Sequence, residues 1–159
     1  MQIRSAETAG FCFGVERAVS LAEQTAKSCA SAVTLGPIIH NRHVVERFEA
    51  MGLREIARAE DAQPGQTVVI RAHGIPVSEQ QTLAARGAKL VDATCPFVKK
   101  IHVIARQAEE AGRHLLIIGT PTHPEVTAIA SYSSDAHVFQ TAEALESWLT
   151  EAPGRRDLP

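Results

Sequence analysis

The sequence predicts an α/β fold of repeated doubly wound domains with mainly parallel sheets, and two observations carry that expectation. Short runs of Val, Ile and Leu, such as Thr67-Val-Val-Ile-Arg-Ala72 and Arg113-His-Leu-Leu-Ile-Ile118, lack polar alternation, as strands covered on both faces do. Each run leads through a turn containing Gly, Pro or His into a segment with apolar residues at helical spacing. At 159 residues the chain suits one domain or one and a half small ones. The expected division is a first α/β domain over 1–95, with an N-terminal strand and a cysteine-bearing turn, and an incomplete second domain over 96–159.

Residues 1–6 are expected as a short strand. Gly10-Phe-Cys-Phe-Gly14 is a glycine-bracketed turn into a helix carrying Val15, Ala18, Val19, Ala22 and Ala26. Val33 to Ile39 reads as a buried strand, His40-Asn-Arg-His43 as its exit, and Val44, Val45, Phe48 and Met51 as one face of the next helix, which Gly52 ends. A short strand over 53–56 and the polar turn Glu60-Asp-Ala-Gln-Pro-Gly65 precede the strand 67–72, closed by His73-Gly74. Pro76 opens a helix that Gly87 stops.

Lys89 to Ala93 is a strand handing over directly to a helix at Asp92-Ala-Thr-Cys-Pro96. Pro96 suits the first helical position, where its missing N–H costs nothing. That helix is expected to bury Val98, Ile101, Ile104, Ala105 and Ala108, with His102 on a flank. A strand over 113–118, the turn Gly119-Thr-Pro-Thr-His-Pro-Glu125, a helix through Val126, Ile129 and Ala130, a strand over 136–139 and a helix over 142–149 complete the series.

Hydrophobic residues make up 45% and charged residues 21%, a balance that suits a folded protein rather than a disordered one. A net charge of −2 with scattered basic residues, together with 4% aromatics, argues against a nucleic-acid partner. No apolar run approaches the roughly 20 residues that cross a bilayer, and the first residues lack a secretory core, so a cytoplasmic protein without a membrane partner is expected. Cys12, Cys29 and Cys95 are odd in number and widely spaced, which suits metal ligation or reduced thiols better than a disulfide framework.

Doubly wound sheets place their crevice outside the carboxyl ends of the strands. Cys12, His40, His73, Cys95 and His123 all fall between a strand and the following helix, so they are expected at one edge. Imidazoles beside helix N-termini suit a phosphate or diphosphate, and no Walker or dinucleotide fingerprint competes with that reading. A thiol at a helix N-terminus is favoured as thiolate, the form that binds metal. Neither a short zinc-type cysteine pair nor a ferredoxin-type run is present, which leaves open a cluster with ligands from separate strand ends. Glu125 is placed to carry a proton to a bound substrate, or only to favour the helix dipole. Cys29, at the far end of its helix, is expected to be a small packing residue.

Five motifs, Gly10-Phe-Cys-Phe-Gly-Val-Glu-Arg-Ala18, His40-Asn-Arg42, Ala72-His-Gly74, Asp92-Ala-Thr-Cys-Pro96 and Gly119-Thr-Pro-Thr-His-Pro-Glu125, stand in an order and at spacings that resemble the 4-hydroxy-3-methylbut-2-enyl diphosphate reductase family. The resemblance covers essentially the whole chain. It implies three α/β domains about a pseudo-threefold axis and a 4Fe-4S cluster on three cysteines. It also implies reductive removal of an allylic hydroxyl to give isopentenyl and dimethylallyl diphosphate in the non-mevalonate pathway, with electrons from a donor such as ferredoxin or flavodoxin.

On the matching positions, Cys12 and Cys95 would hold the cluster, His40, His73 and His123 would bind the diphosphate substrate, and Glu125 would donate the proton. The third cluster cysteine and a Ser-x-Asn diphosphate segment have no counterpart here. The tail Glu151-Ala-Pro-Gly-Arg-Arg-Asp-Leu-Pro159 reads as a loop before a further strand. The chain is therefore expected to stop within the second domain and to be inactive alone. The competing expectations are an anion-binding fragment that has lost the cluster, and another cluster-dependent dehydratase similar to quinolinate synthase.

Overall fold

The computed structural model describes residues 2–4, 6 and 9–151. The element order is α1 (Phe13–Ser28), β1 (Val33–Leu35), α2 (Arg42–Ala50), β2 (Arg54–Ile56), a 3-10 turn (Ala59–Asp61), β3 (Thr67–Ile70), α3 (Val77–Ala85), β4 (Lys89–Asp92), α4 (Pro96–Glu110), β5 (Leu115–Ile118), α5 (Pro124–Ala130), β6 (Ala136–Phe139) and α6 (Ala142–Glu151). All strand pairings among the described residues are parallel. They form a four-stranded sheet in the order β2-β1-β3-β4 and a separate pair, β5-β6.

The unalternated apolar runs have a direct structural cause. Val69 faces one core, with Ala18, Ala22, Ile38, Val44 and Phe48 from the α1/α2 side. Its neighbours Val68 and Ile70 face the other, with Leu35, Ala59, Ile75 and Leu83 from the α3 side. Successive strand residues point to opposite faces, so a strand with both faces covered is apolar at every position.

Three expectations need correction. Residues 2–4 and 6 form no strand, while Met1 and Ser5 lie outside the described residues, as does the tail 152–159. β1 ends at Leu35 rather than Ile39, because Gly36 turns the chain at φ +70°, a left-handed conformation. Ile38 and Ile39 remain buried in the connection that follows. On α4 the buried face runs through Val98, His102 and Ala105, whereas Ile101 and Ile104 are 40% and 59% exposed. The helix is rotated from the expected face because His102 enters a slot beside Gly74 and stacks on Tyr132, with ring centroids 4.7 Å apart.

Candidate functional site

The order β2-β1-β3-β4 reverses direction between β1 and β3, and such a reversal opens a crevice at the carboxyl ends of the two strands. His40 leaves β1 and His73 leaves β3, and their ring centroids lie 4.7 Å apart across that crevice. His123, which leaves β5 in the other sheet, completes the group at 5.6 Å from His73 and 6.3 Å from His40. One nitrogen from each ring falls within 4.8 Å of the others. A cleft of about 290 Å³ opens here, walled by Phe11 and Val15 of the Cys12 turn, Ile39, His40, Asn41 and His73.

Local structure fixes each imidazole. Asn41 caps α2, its side chain accepting from Val44 N–H at 3.3 Å, which sets the exit of His40. Gly74 takes φ +76° directly after His73, and the Arg71 guanidinium closes the turn by donating to the Gly74 carbonyl at 3.2 Å. His123 caps α5 with its own ring: Nδ1 accepts from Glu125 N–H at 3.2 Å. A ring that accepts at Nδ1 carries its proton on Nε2 when neutral, so His123 offers an N–H donor. Glu125 is therefore held next to the trio through its own backbone.

Burial, and after it the nearby His40, His123 and Arg71, push the pKa of His73 down to about 4. The ring is neutral at pH 7, and its Nδ1 is enclosed without a partner among the described residues. An anion arriving at the trio supplies the opposite charge that the neighbouring cation and imidazoles lack, which favours proton uptake by His73.

The two thiols lie beside this cleft. Cys12 is the N-cap of α1 and Cys95 the N-cap of α4, and neither side chain makes a capping hydrogen bond. Gly14, in the first turn of α1, lies against Cys95: a Cβ there would overlap Cys95 Sγ and come within 3.1 Å of its Cβ. Arg17, one turn further along, donates to the carbonyls of Thr94 at 3.1 Å and Asp92 at 3.4 Å. Glycine and arginine together seat the start of α1 on the Cys95 junction. Gly14, Arg17 and Arg71 were missed by reading for reactive side chains. Gly14 and Arg17 stand inside the Cys12 motif, so their signal was proximity to a thiol.

Cys29 is elsewhere. It caps the far end of α1, about 25 Å from Cys12 at 1.5 Å per residue, and donates to Thr67 Oγ1 at 3.5 Å. The structure thus gathers His40, His73 and His123, brings Cys95 against the Cys12 helix, and leaves Cys29 apart. Two thiols free of capping bonds, with a side-chain-free glycine leaving room for sulfur, fit two corners of a metal cluster. They are one fewer than the three cysteines the resemblance implies.

No helix among the described residues is long and apolar enough to cross a membrane. The profile of the family described as LytB protein matches residues 3–154. A 4-hydroxy-3-methylbut-2-enyl diphosphate reductase of Oleidesulfovibrio alaskensis is 47% identical over 150 residues, covering 92% of this chain and 53% of the relative. Among solved structures, that of (E)-4-hydroxy-3-methyl-but-2-enyl diphosphate reductase, the terminal enzyme of the non-mevalonate pathway, superposes with a TM-score of 0.77 at 40% identity, over 91% of this chain and 53% of that one. The reductase from Plasmodium falciparum gives 0.82 at 26% identity, over 88% and 45%. The chain spans about half the length of the curated relatives it matches. With a profile match across most of its residues and relatives this similar, the chain belongs to the LytB protein family.

Proposed function

We propose that this chain carries one part of a 4-hydroxy-3-methylbut-2-enyl diphosphate reductase site, with diphosphate-binding, cluster-ligating and proton-donating residues. The observation that carries the proposal is the imidazole trio at the β1/β3 crevice, with nitrogens within 4.8 Å of one another and two thiol-bearing helix starts alongside. His40, His73 and His123 bind the diphosphate, and Arg71 adds positive charge behind His73. Cys12 and Cys95 are ligands of a 4Fe-4S cluster, which supplies the electrons for removing the allylic hydroxyl. Two electrons and two protons convert the alcohol to the isopentenyl or dimethylallyl product and water. Glu125 stands one residue into α5 and delivers one of those protons. The electrons come from a small cytoplasmic donor such as ferredoxin or flavodoxin.

The same reading sets the unit boundary between residues 95 and 96, where Cys95 closes the first unit and α4 opens the second. The division of strands into two sheets supports that boundary. For the chain alone, the imidazole trio supports diphosphate binding, while two thiols are too few to hold the cluster that turnover needs.

Calorimetry with inorganic pyrophosphate tests the proposal. Binding at pH 7 is expected, accompanied by proton uptake and reduced at least 10-fold by His73→Ala; no measurable binding to the folded chain would sink it. In a complete family protein, Glu125→Gln is expected to retain substrate binding and lose most turnover, because an amide hydrogen-bonds without delivering a proton. Anaerobic reconstitution tests the two-thiol limit: about four irons held stably per chain, with substrate reduction, would overturn it.

A further inference from the structure

A second cluster of donors sits at the opposite end of the small sheet. His114 immediately precedes β5, Asp135 immediately precedes β6, and His137 is the second residue of β6. The two strands are in parallel register, Leu115 with Ala136 and Leu116 with His137, and Leu115 N–H donates to the Asp135 carbonyl at 3.0 Å. That register puts both imidazoles on one carboxylate. His114 Nδ1 contacts Asp135 Oδ2, and His137 Nε2 lies 2.7 Å from Asp135 Oδ1. One donor atom from each of the three residues lies within 4.8 Å of the others. At about 3.3 Å per residue, the four-residue strand β5 separates this cluster from His123 by more than ten ångströms.

The carboxylate is held before any ligand arrives. Glu109 at the end of α4 accepts from Ser133 Oγ at 3.0 Å, Ser134 N–H at 2.9 Å and Ser134 Oγ at 2.7 Å. Ser133 Oγ then accepts from the Asp135 N–H at 3.2 Å. The turn carrying Asp135 is thus pinned from a neighbouring helix, as outer groups pin the ligands of a metal site. Trp148 of α6 covers one side, its centroid 4.7 Å from that of His137.

We propose that His114, Asp135 and His137 form a site for one divalent ion of the zinc class. Two imidazole nitrogens and one carboxylate oxygen are the donors of an open tetrahedral zinc site, in which water takes the fourth position. On binding, the ion replaces the two imidazole contacts on Asp135, and each neutral imidazole carries its proton on the ring nitrogen facing away from the metal. Nothing in this site depends on the diphosphate or cluster chemistry at the other end of the sheet.

The single tryptophan localises the test. Co²⁺ added to the folded 159-residue chain is expected to quench Trp148 emission with saturation at one equivalent, and Zn²⁺ to displace it and restore the signal. The visible spectrum should show tetrahedral cobalt bands without a thiolate charge-transfer band. Asp135→Asn and His137→Gln should each weaken the quench at least 10-fold, with circular dichroism unchanged, whereas His43→Gln on the surface of α2 should leave it as it was. A quench that survives both ligand variants, a thiolate band at the first equivalent, or no saturable quench would each overturn the proposal. Saturable quenching of Trp148 separates this site from the His40, His73 and His123 nitrogens, and the spectrum separates it from sulfur, so the wild-type titration decides even where a variant fails to fold.

Discussion

The two sheets are built by the same alternation of strand and helix and differ sharply in how they are covered. In the four-stranded sheet, Leu35, Val68 and Val69 are at most 2% exposed, Leu83 of α3, packed on the face that carries Leu35 and Val68, is fully buried, and cores lie on both faces. In the β5-β6 pair no strand residue is fully buried, Leu116 and Ile118 are 37% and 55% exposed, and α6 buries none of its residues. Equal patterning therefore does not give equal burial. The same apolar strand gains most of its stabilisation only where a second layer removes it from water. The His40–His73 edge rests on the first kind of support and the His123 edge on the second.

The largest expected effect breaks that comparison directly. Leu83→Ala removes a fully buried side chain from the α3 core and should cost about 2–5 kcal/mol, whereas Ile118→Ala should stay within about 0.5 kcal/mol. Urea melts of the two variants give the answer, and equal losses would show that both halves share one core. Next is Gly74→Ala. Its Cβ would lie 2.6 Å from His102 Cε1 at a φ of +76°, so about 1–2 kcal/mol of backbone strain adds to displacement of the imidazole. The same melts measure it, and pyrophosphate affinity should fall with it.

A smaller effect is tied to acid. Burial lowers the pKa of both His73 and His102, and for His73 the value is about 4 against an ordinary 6.5. Both rings fold in the neutral form, so their unfolded counterparts bind protons first as the pH drops. Stability should be flat above pH 6.5 and decline from there towards pH 4, with His102→Gln making the decline shallower; a flat profile through that window would remove both rings from the account. The smallest effect belongs to the thin half. Glu109→Gln loosens the Ser133–Ser134 turn and should speed amide exchange in β6 while leaving β3 unchanged, as hydrogen exchange can read.

Much of this was legible in the sequence, for identifiable reasons. Unalternated runs such as Val68-Val-Ile70 announce strands covered on both faces, and the turn positions of His40, His73, Cys95 and His123 follow from the strand-to-helix alternation alone. What was hidden depends on partners distant in sequence. No local pattern says that Tyr132 and Gly74 together make a slot for His102, turning α4 so that isoleucines face outward and an imidazole faces inward. Likewise, a glycine in the first turn of a helix reads as a weakness until Cys95 is found against it. The strand ends were overextended because Ile38 and Ile39 are buried without being paired.

The contact between Gly14 and Cys95 also orders events in time. Residues 10–18 leave a ribosome before the rest of the fold they pack against, and α1 can begin to pack on α2 as soon as that helix has formed. Its other partners, the Asp92 and Thr94 carbonyls and the Cys95 side chain, emerge some 80 residues later, roughly 4–16 s at about 5–20 residues per second. During that interval Cys12 stands at the start of a half-docked helix with no second thiol beside it. The nascent chain thus passes through a stage in which Cys12 is made long before the Cys95 junction on which its helix will rest.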